Sequence, residues 1–327
     1  MIKLFKKIKI TIFVVLSFFI MNTLSVSALG TLILDPENPA PYDAVKVTFK
    51  TFDFDADNAV FTWSINKKIV LVGKGEKTLN TKVGGVGSPT QVDVKVEVTG
   101  GEVVNSSINL RPQVVDLIWE STESYVPPFY EGKALPSEDS EIKITALPSF
   151  SNNGGLIRST DLSYAWYLND QFIDNGSGYG RNVLKTRLDY LSNENIFKVV
   201  ARGSDGSVAE NRITILPNDI SPVFYLKDPI FGIDFNHAIE KRFETTKEFT
   251  LAVVPYFISS KNGQSSGITY NWSMGGLPIT PETDTTLTLR PKDNSYGSKI
   301  LSLSIENTTR YLQKIDTALE IVFDTRK

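Results

Sequence analysis

Asp53-Phe54-Asp55-Ala56-Asp57-Asn58 sets three carboxylates at alternate positions, a spacing that can aim oxygen ligands at one hard cation as calcium loops do. Position six of that stretch is Asn58 where an EF-hand needs glycine, and position twelve is Ser64 where it needs glutamate. The corresponding segments further along, Ser149 to Gly154 and Ser259 to Gly263, carry no acids. The expectation is a solvated turn, with Asp53, Asp55 and Asp57 as the candidate calcium ligands and no other cofactor. Catalytic chemistry has little to build on. There is no cysteine and one histidine, so thiol chemistry is excluded, and His237 in Phe235-Asn236-His237-Ala238 has no nucleophile-elbow sequence to serve. The 37 acids could pair as glycosidase acid and base, but chance alone produces such pairs. Gly73-Lys74-Gly75-Glu76 lacks the four-residue spacing of a phosphate loop, and Gly176-Ser177-Gly178-Tyr179-Gly180 lies between strands; both read as turns.

One segment stands out for binding. Trp119, Tyr125, Phe129 and Tyr130 cluster with Pro127, Pro128 and Pro136, and exposed aromatics beside prolines can form a docking surface. A similar run, Asp228-Pro229-Ile230-Phe231-Gly232-Ile233, appears later. That recurrence favours packing at a joint between repeats over partner binding. Asn105, Asn175, Asn271 and Asn307 head Asn-x-Ser/Thr sequences, which matter only in a glycosylating host.

The elements that must position these residues repeat three times. Trp63, Trp166 and Trp272 lie 103 and 106 residues apart, each in an aromatic or apolar strand context. An alternating strand precedes each tryptophan: Val45 to Phe49, Ile142 to Ala146, and Phe249 to Val253. Another follows each, centred on Val96, Val199 and Leu303, at 33, 33 and 31 residues past the tryptophan. Alternation at period two marks strands with one buried and one wet face. Short strands between Gly, Pro and Asn turns predict an all-β chain of three tandem β-sandwich domains, each with a tryptophan in its core. The expected boundaries are 29–113, 114–217 and 218–327. Prolines after the last strands, Pro112 and Pro217, with short links, predict stiff joints.

Residues 1–28 read as a cleaved signal peptide: Lys3, Lys6, Lys7 and Lys9, an apolar run from Ile10 to Met21, then Val26-Ser27-Ala28. The alternative is an uncleaved anchor, the one membrane attachment the sequence offers. Cleavage leaves 30 cations against 37 acids, so the net charge moves from −3 to −7. A mildly acidic chain argues against nucleic acid as a partner. An exported chain without cysteine points to a bacterial or archaeal source and a cell-surface or secreted location.

The Tyr/Phe-x-Trp strands at Trp63, Trp166 and Trp272, each followed by its alternating strand, resemble bacterial immunoglobulin-like domains, most of all the polycystic-kidney-disease (PKD) type. The Asp-Gly turn of that family is replaced by Asn66-Lys67, Asn169-Asp170 and Gly275-Gly276. The segment from Val115 to Pro136 is similar to secreted proteins of candidate-phylum bacteria that are linked with surface or type IV pilus systems. These resemblances imply a cell-surface setting, where the aromatic segment would meet a protein or glycan partner. The expected function is non-catalytic: an adhesin, an envelope component or an accessory to a surface appendage. The alternatives are a spacer or carbohydrate-binding array beside a separate enzyme, and a carboxylate-dependent hydrolase.

Overall fold

The computed structural model describes residues 30–152, 155–263, 266–281 and 283–326. The expected signal segment lies outside the described residues. The rest divides into two compact units, the first ending at Arg111 and the second starting at Pro112. The fold is all-β, a series of sandwiches in which two sheets enclose a core.

The first unit contains β1 (Thr31–Asp35), β2 (Ala44–Lys50), β3 (Val60–Ile65), β4 (Lys68–Lys74), β5 (Thr78–Lys82), β6 (Thr90–Glu97) and β7 (Val103–Leu110). Strands β1-β2-β5 form one antiparallel sheet and β4-β3-β6-β7 the other. Alternation decides which side chains enter: Val45, Val47 and Phe49 from β2 meet Val92, Val94 and Val96 from β6 around Trp63.

The second unit holds two more such cores. Its first half runs β8 (Val114–Ser121), β9 (Glu141–Asn152), β10 (Gly155–Ile157), β11 (Ser163–Leu168), β12 (Gln171–Phe172), β13 (Gly178–Tyr179), β14 (Val183–Arg187), β15 (Asn195–Arg202) and β16 (Val208–Ile215). Strand β9 pairs β8, β10 and β14; the facing sheet is β12-β11-β15-β16, with β13 joined to β11. Ser149 to Asn152, expected in a loop, instead extends β9; Phe150 to Asn152 pair with β10 and Ser149 with Val114 of β8.

Its second half runs β17 (Ser221–Asp228), β18 (Gly232–Ile239), β19 (Arg242–Thr245), β20 (Phe249–Tyr256), β21 (Ile268–Met274), β22 (Leu277–Pro278), β23 (Thr286–Leu289), β24 (Tyr296–Asn307) and β25 (Lys314–Asp324). The sheets are β18-β17-β20-β23 and β19-β25-β24-β21-β22, with β19 parallel to β25. Here the first strand, β17, is not the sheet edge. β17 is flanked by β18 and β20, because Pro222 sits at its start opposite Pro255 and Pro229 falls past its end, so neither breaks the middle of the ladder.

The three tryptophans share one arrangement. Trp63 and Trp166 are fully buried and Trp272 is 3% exposed. Each indole N–H donates to a backbone carbonyl of the following loop: Glu76 at 2.7 Å, Arg181 at 3.0 Å and Asp284 at 2.9 Å. A buried indole thus has its one polar group satisfied. Three turns stand where the resemblance expects Asp-Gly. Asn66-Lys67, Asn169-Asp170 and Gly275-Gly276 are two-residue hairpins with positive φ at both positions, the conformation that matches strand twist. The side chains of Asn66 and Asn169 also accept the N–H groups of Gln91 and Ile196, at 2.9 Å each, and so tie the turn to the next strand.

Candidate functional site

Asp53, Asp55 and Asp57 sit in the loop between β2 and β3, and local bonds occupy two of them. Asp55 accepts the Asp57 N–H at 3.0 Å and the Asn58 amide at 2.6 Å, which together hold its carboxyl below the usual range. Asp57 pairs with Lys77 at 2.8 Å. Among the described residues no three His, Asp or Glu side chains converge as a group that could hold a metal ion. Alternate spacing aims carboxylates together only on a suitable backbone, and this turn is closed by its own hydrogen bonds. His237 is exposed and bonded to Asp234 at 2.8 Å.

The aromatic segment separates into parts. Trp119, on β8, packs against the second core and carries the Lys133 ammonium 3.1 Å from its ring centre, a cation–π contact. Partial burial there lowers the Lys133 pKa. Tyr125 packs against the third core instead. Its N–H donates to Ile258 at 2.9 Å and its carbonyl accepts from Phe257 at 2.7 Å. Gly263, at φ +69°, makes room for it, since a Cβ there would lie 3.0 Å from the Tyr125 ring. Tyr130 lies edge-on to Tyr256 and Phe257. Phe129, at φ +67°, is 97% exposed.

These contacts belong to a joint between the second and third sandwiches, most of whose members are polar. Arg310 grips Glu123 with two bonds, 2.9 and 2.7 Å. Burial pushes the Glu123 carboxyl up, but Arg310 and the Glu141 N–H outweigh it and hold the group below its ordinary range. Gln313 is buried at the centre. Its amide N–H groups donate to the Glu138 carbonyl at 2.5 Å and the Ser259 hydroxyl at 2.7 Å, and its oxygen accepts the Ser259 N–H at 3.0 Å. Ser140 meets Ser259 at 2.8 Å, Ser137 donates to the Phe257 carbonyl at 2.8 Å, and Tyr190 stacks on Tyr311 at 4.6 Å. Buried polar groups satisfied in this way fix one mutual arrangement of the two sandwiches. Asn307 is 2% exposed and bonded to Ser259 and Gln313, which removes it from the accessible Asn-x-Thr sites.

Beside the joint lies a groove of about 750 Å³. Pro127 to Glu131 form one wall, and Asp228 with residues 231–236 of the β17–β18 hairpin form the other, with Tyr256 between them. The two similar aromatic runs are therefore not equivalents in successive repeats; they face each other. Asp228 shapes its wall by accepting the N–H groups of Ile230 and Phe231 at 2.7 and 2.9 Å, leaving Phe231 88% exposed. Phe129 and Phe231 so present aromatic surface to solvent from the two walls, with Glu131, Asp228 and Asp234 lining the same groove. Sequence reasoning found Phe129 and Tyr130; Phe231 appeared only as a recurrence, and nothing local marked Glu123, Arg310 or Gln313.

No protein-family model matches this sequence, and neither does any curated protein. Among solved structures, the chain is similar to the three N-terminal domains of the Highly Immunogenic Outer Capsid protein of bacteriophage RB49, at 12% identity and TM-score 0.27, covering 91% of this chain and 98% of that one. It is also similar to fibronectin(III)-like modules of Clostridium thermocellum CbhA, at 12% identity and TM-score 0.29, covering 57% and 94%. A third is extracellular domains 3–5 of Drosophila OTK, at 12% identity and TM-score 0.20, covering 88% and 93%.

Proposed function

We propose that this chain is an exported, non-catalytic binding or structural protein of the cell surface, built as three sandwich domains at 29–113, 114–217 and 218–327 after a cleaved signal at 1–28. An adhesin, an envelope component and an accessory to a surface appendage all fit this reading. The observation that carries it is the groove beside the joint. Solvent-facing Phe129 and Phe231 are held on two walls whose backbones are fixed by hydrogen bonds, and exposed aromatic surface on a rigid support is the usual anchor of a recognition site. The partner is a protein or a glycan whose contact is made by stacking on these rings.

The test is capture from the native cell envelope with residues 29–327, which include every described strand, beside a Phe129→Ser/Phe231→Ser variant. Circular dichroism and the melting temperature must first match, as they should for two rings in solvent. A partner retained by the native chain and lost by the variant supports the reading. A partner held equally by both moves the contact away from the groove. A soluble polysaccharide as the captured species would favour the carbohydrate-binding alternative.

A further inference from the structure

The third sandwich departs from the other two at one end, and register locates the change. Trp63, Trp166 and Trp272 pair with Val94, Val199 and Leu303. Four residues before those partners stand Thr90, Asn195 and Lys299, paired with Leu110, Ile215 and Ile321. Thr90 and Asn195 are buried, whereas Lys299 is exposed. On the opposite sheet Leu79, Leu184 and Leu287 pair with Val47, Ile144 and Leu251. Four residues later come Val83 and Leu188, both buried, and then Pro291. Two sandwiches thus close this end with an aliphatic plug and a small polar residue. The third has neither, and the end opens into a cavity of about 370 Å³ lined by Phe249, Met274, Leu289, Ile321 and Phe323. Arg290, Lys292 and Lys299 stand at its rim. Among the described residues none of these three makes an ion pair, while Arg326, over the neighbouring Tyr296 ring, is bonded to Asp324.

The same end of the second sandwich has a known occupant inside the chain. Tyr190, two residues past the Leu188 plug, stacks on Tyr311, and the loop between β20 and β21 brings Phe257 to Ser260 against residues 123–140. A sandwich offers to such an end the loop between its last two strands, which here carries Arg310, Tyr311 and Gln313, together with the loop that precedes its tryptophan strand. In the first sandwich that loop is 51–59. It carries Phe52, fully exposed, beside Asp53, Asp55 and Asp57. An exposed ring among acids complements an apolar cavity rimmed by cations.

We propose that copies of this chain associate head to tail, with the 51–59 loop of one copy seated on the open end of the third sandwich of the next. Phe52 fills the cavity and Asp53 beside it, the loop carboxylate that is not held by its own turn or by Lys77, faces Arg290, Lys292 and Lys299. The contact is heterologous, so association grows by head-to-tail addition until a ring closes or indefinitely if none does. Its charge pairing weakens as salt is raised. The inference goes beyond the binding reading and uses neither Phe129 nor Phe231, so the two can fail separately.

Sedimentation velocity of residues 29–327, from micromolar to near-millimolar concentration at low and high salt, tests it. The expected result is a mean mass that rises with concentration at low salt and falls at high salt. Phe52→Ser, and separately Lys292→Glu with Lys299→Glu, should each weaken association by at least about tenfold. Both variants alter exposed residues, and unchanged circular dichroism confirms that they fold. Mixed in equal amounts they should form a capped one-to-one dimer, because one retains a working loop and the other a working cavity. Three results overturn the proposal: a monomer throughout, association that survives either substitution, or variants that do not pair when mixed. Binding of dodecanoate by a chain that stays monomeric also overturns it and assigns the cavity to a small anionic amphiphile.

Discussion

Replacing Gln313 by leucine tests whether buried polar bonds hold the second and third sandwiches as one body. Leucine supplies similar bulk but removes every bond the amide makes. Asn307 keeps the Ser259 carbonyl, and the Ser259 hydroxyl keeps Ser140. The Ser259 N–H and the Glu138 carbonyl lose the partner that Gln313 gives them. At about 1–3 kcal/mol for each of these two buried orphans, the loss is about 2–6 kcal/mol. For a body of this size each kcal/mol moves the midpoint by about 2–4 °C, so a loss of about 3 kcal/mol lowers Tm by about 6–12 °C. Thermal unfolding of residues 29–327, followed by circular dichroism and tryptophan fluorescence, measures the shift. Hydrogen exchange at the Tyr125 and Ser260 amides should accelerate in parallel, since both N–H groups bond across the joint. Gln171→Leu on exposed β12 is the control and should stay within about 0.5 kcal/mol of the native chain. A Gln313→Leu protein that melts within about 2 °C of the native chain, with unchanged exchange at those amides, would refute the reasoning.

Three further outcomes follow from the same geometry. Trp166→Ala should destabilise the second unit by about 3–5 kcal/mol, through the cavity it leaves and the unpaired Arg181 carbonyl, and urea titration would expose a milder effect. Asn169→Ala should cost about 1–2 kcal/mol, because alanine at φ +49° is strained and the Ile196 N–H loses its acceptor; a neutral result by the same titration would mean that the turn relaxes. Acid should loosen the joint through Glu123. Its folded pKa lies below the unfolded 4.5, so its contribution is complete above that value and is lost as pH falls through the folded one. Arg310→Met should therefore melt lower than the native chain at neutral pH, with the gap closing on acidification below 4.5; a gap that is constant with pH would remove Glu123 as its source.

Much of the fold was readable in local order. Val45, Val47 and Phe49, or Val92, Val94 and Val96, alternate with polar residues, and period two by itself assigns a strand and its buried face. The tryptophan spacing repeats because each sandwich must fill the same space between two sheets. The hairpin turns reach positive φ at Asn66, Asn169, Asp170, Gly275 and Gly276 because Asn and Asp, like Gly, tolerate it.

The joint was not readable in this way. Glu123 and Arg310 are 187 positions apart and Ser140 and Ser259 are 119 apart, and in sequence each looks like any surface residue. Only packing takes them out of water, and only then does a polar side chain become a fastening. The aromatic segment shows the same division. Composition marked Trp119, Tyr125, Phe129 and Tyr130 alike, yet the structure spends Trp119 on the second core, Tyr125 on the third and Tyr130 on Tyr256, and leaves Phe129 to solvent opposite Phe231. Spacing likewise suggested a shared cation for Asp53, Asp55 and Asp57, while the loop gives Asp55 to its own turn and Asp57 to Lys77. Sequence thus determined the repeating unit, because strand alternation and turn preference are local. Tertiary structure decided which polar groups became joints and which rings became surface, because both depend on what another part of the chain covers.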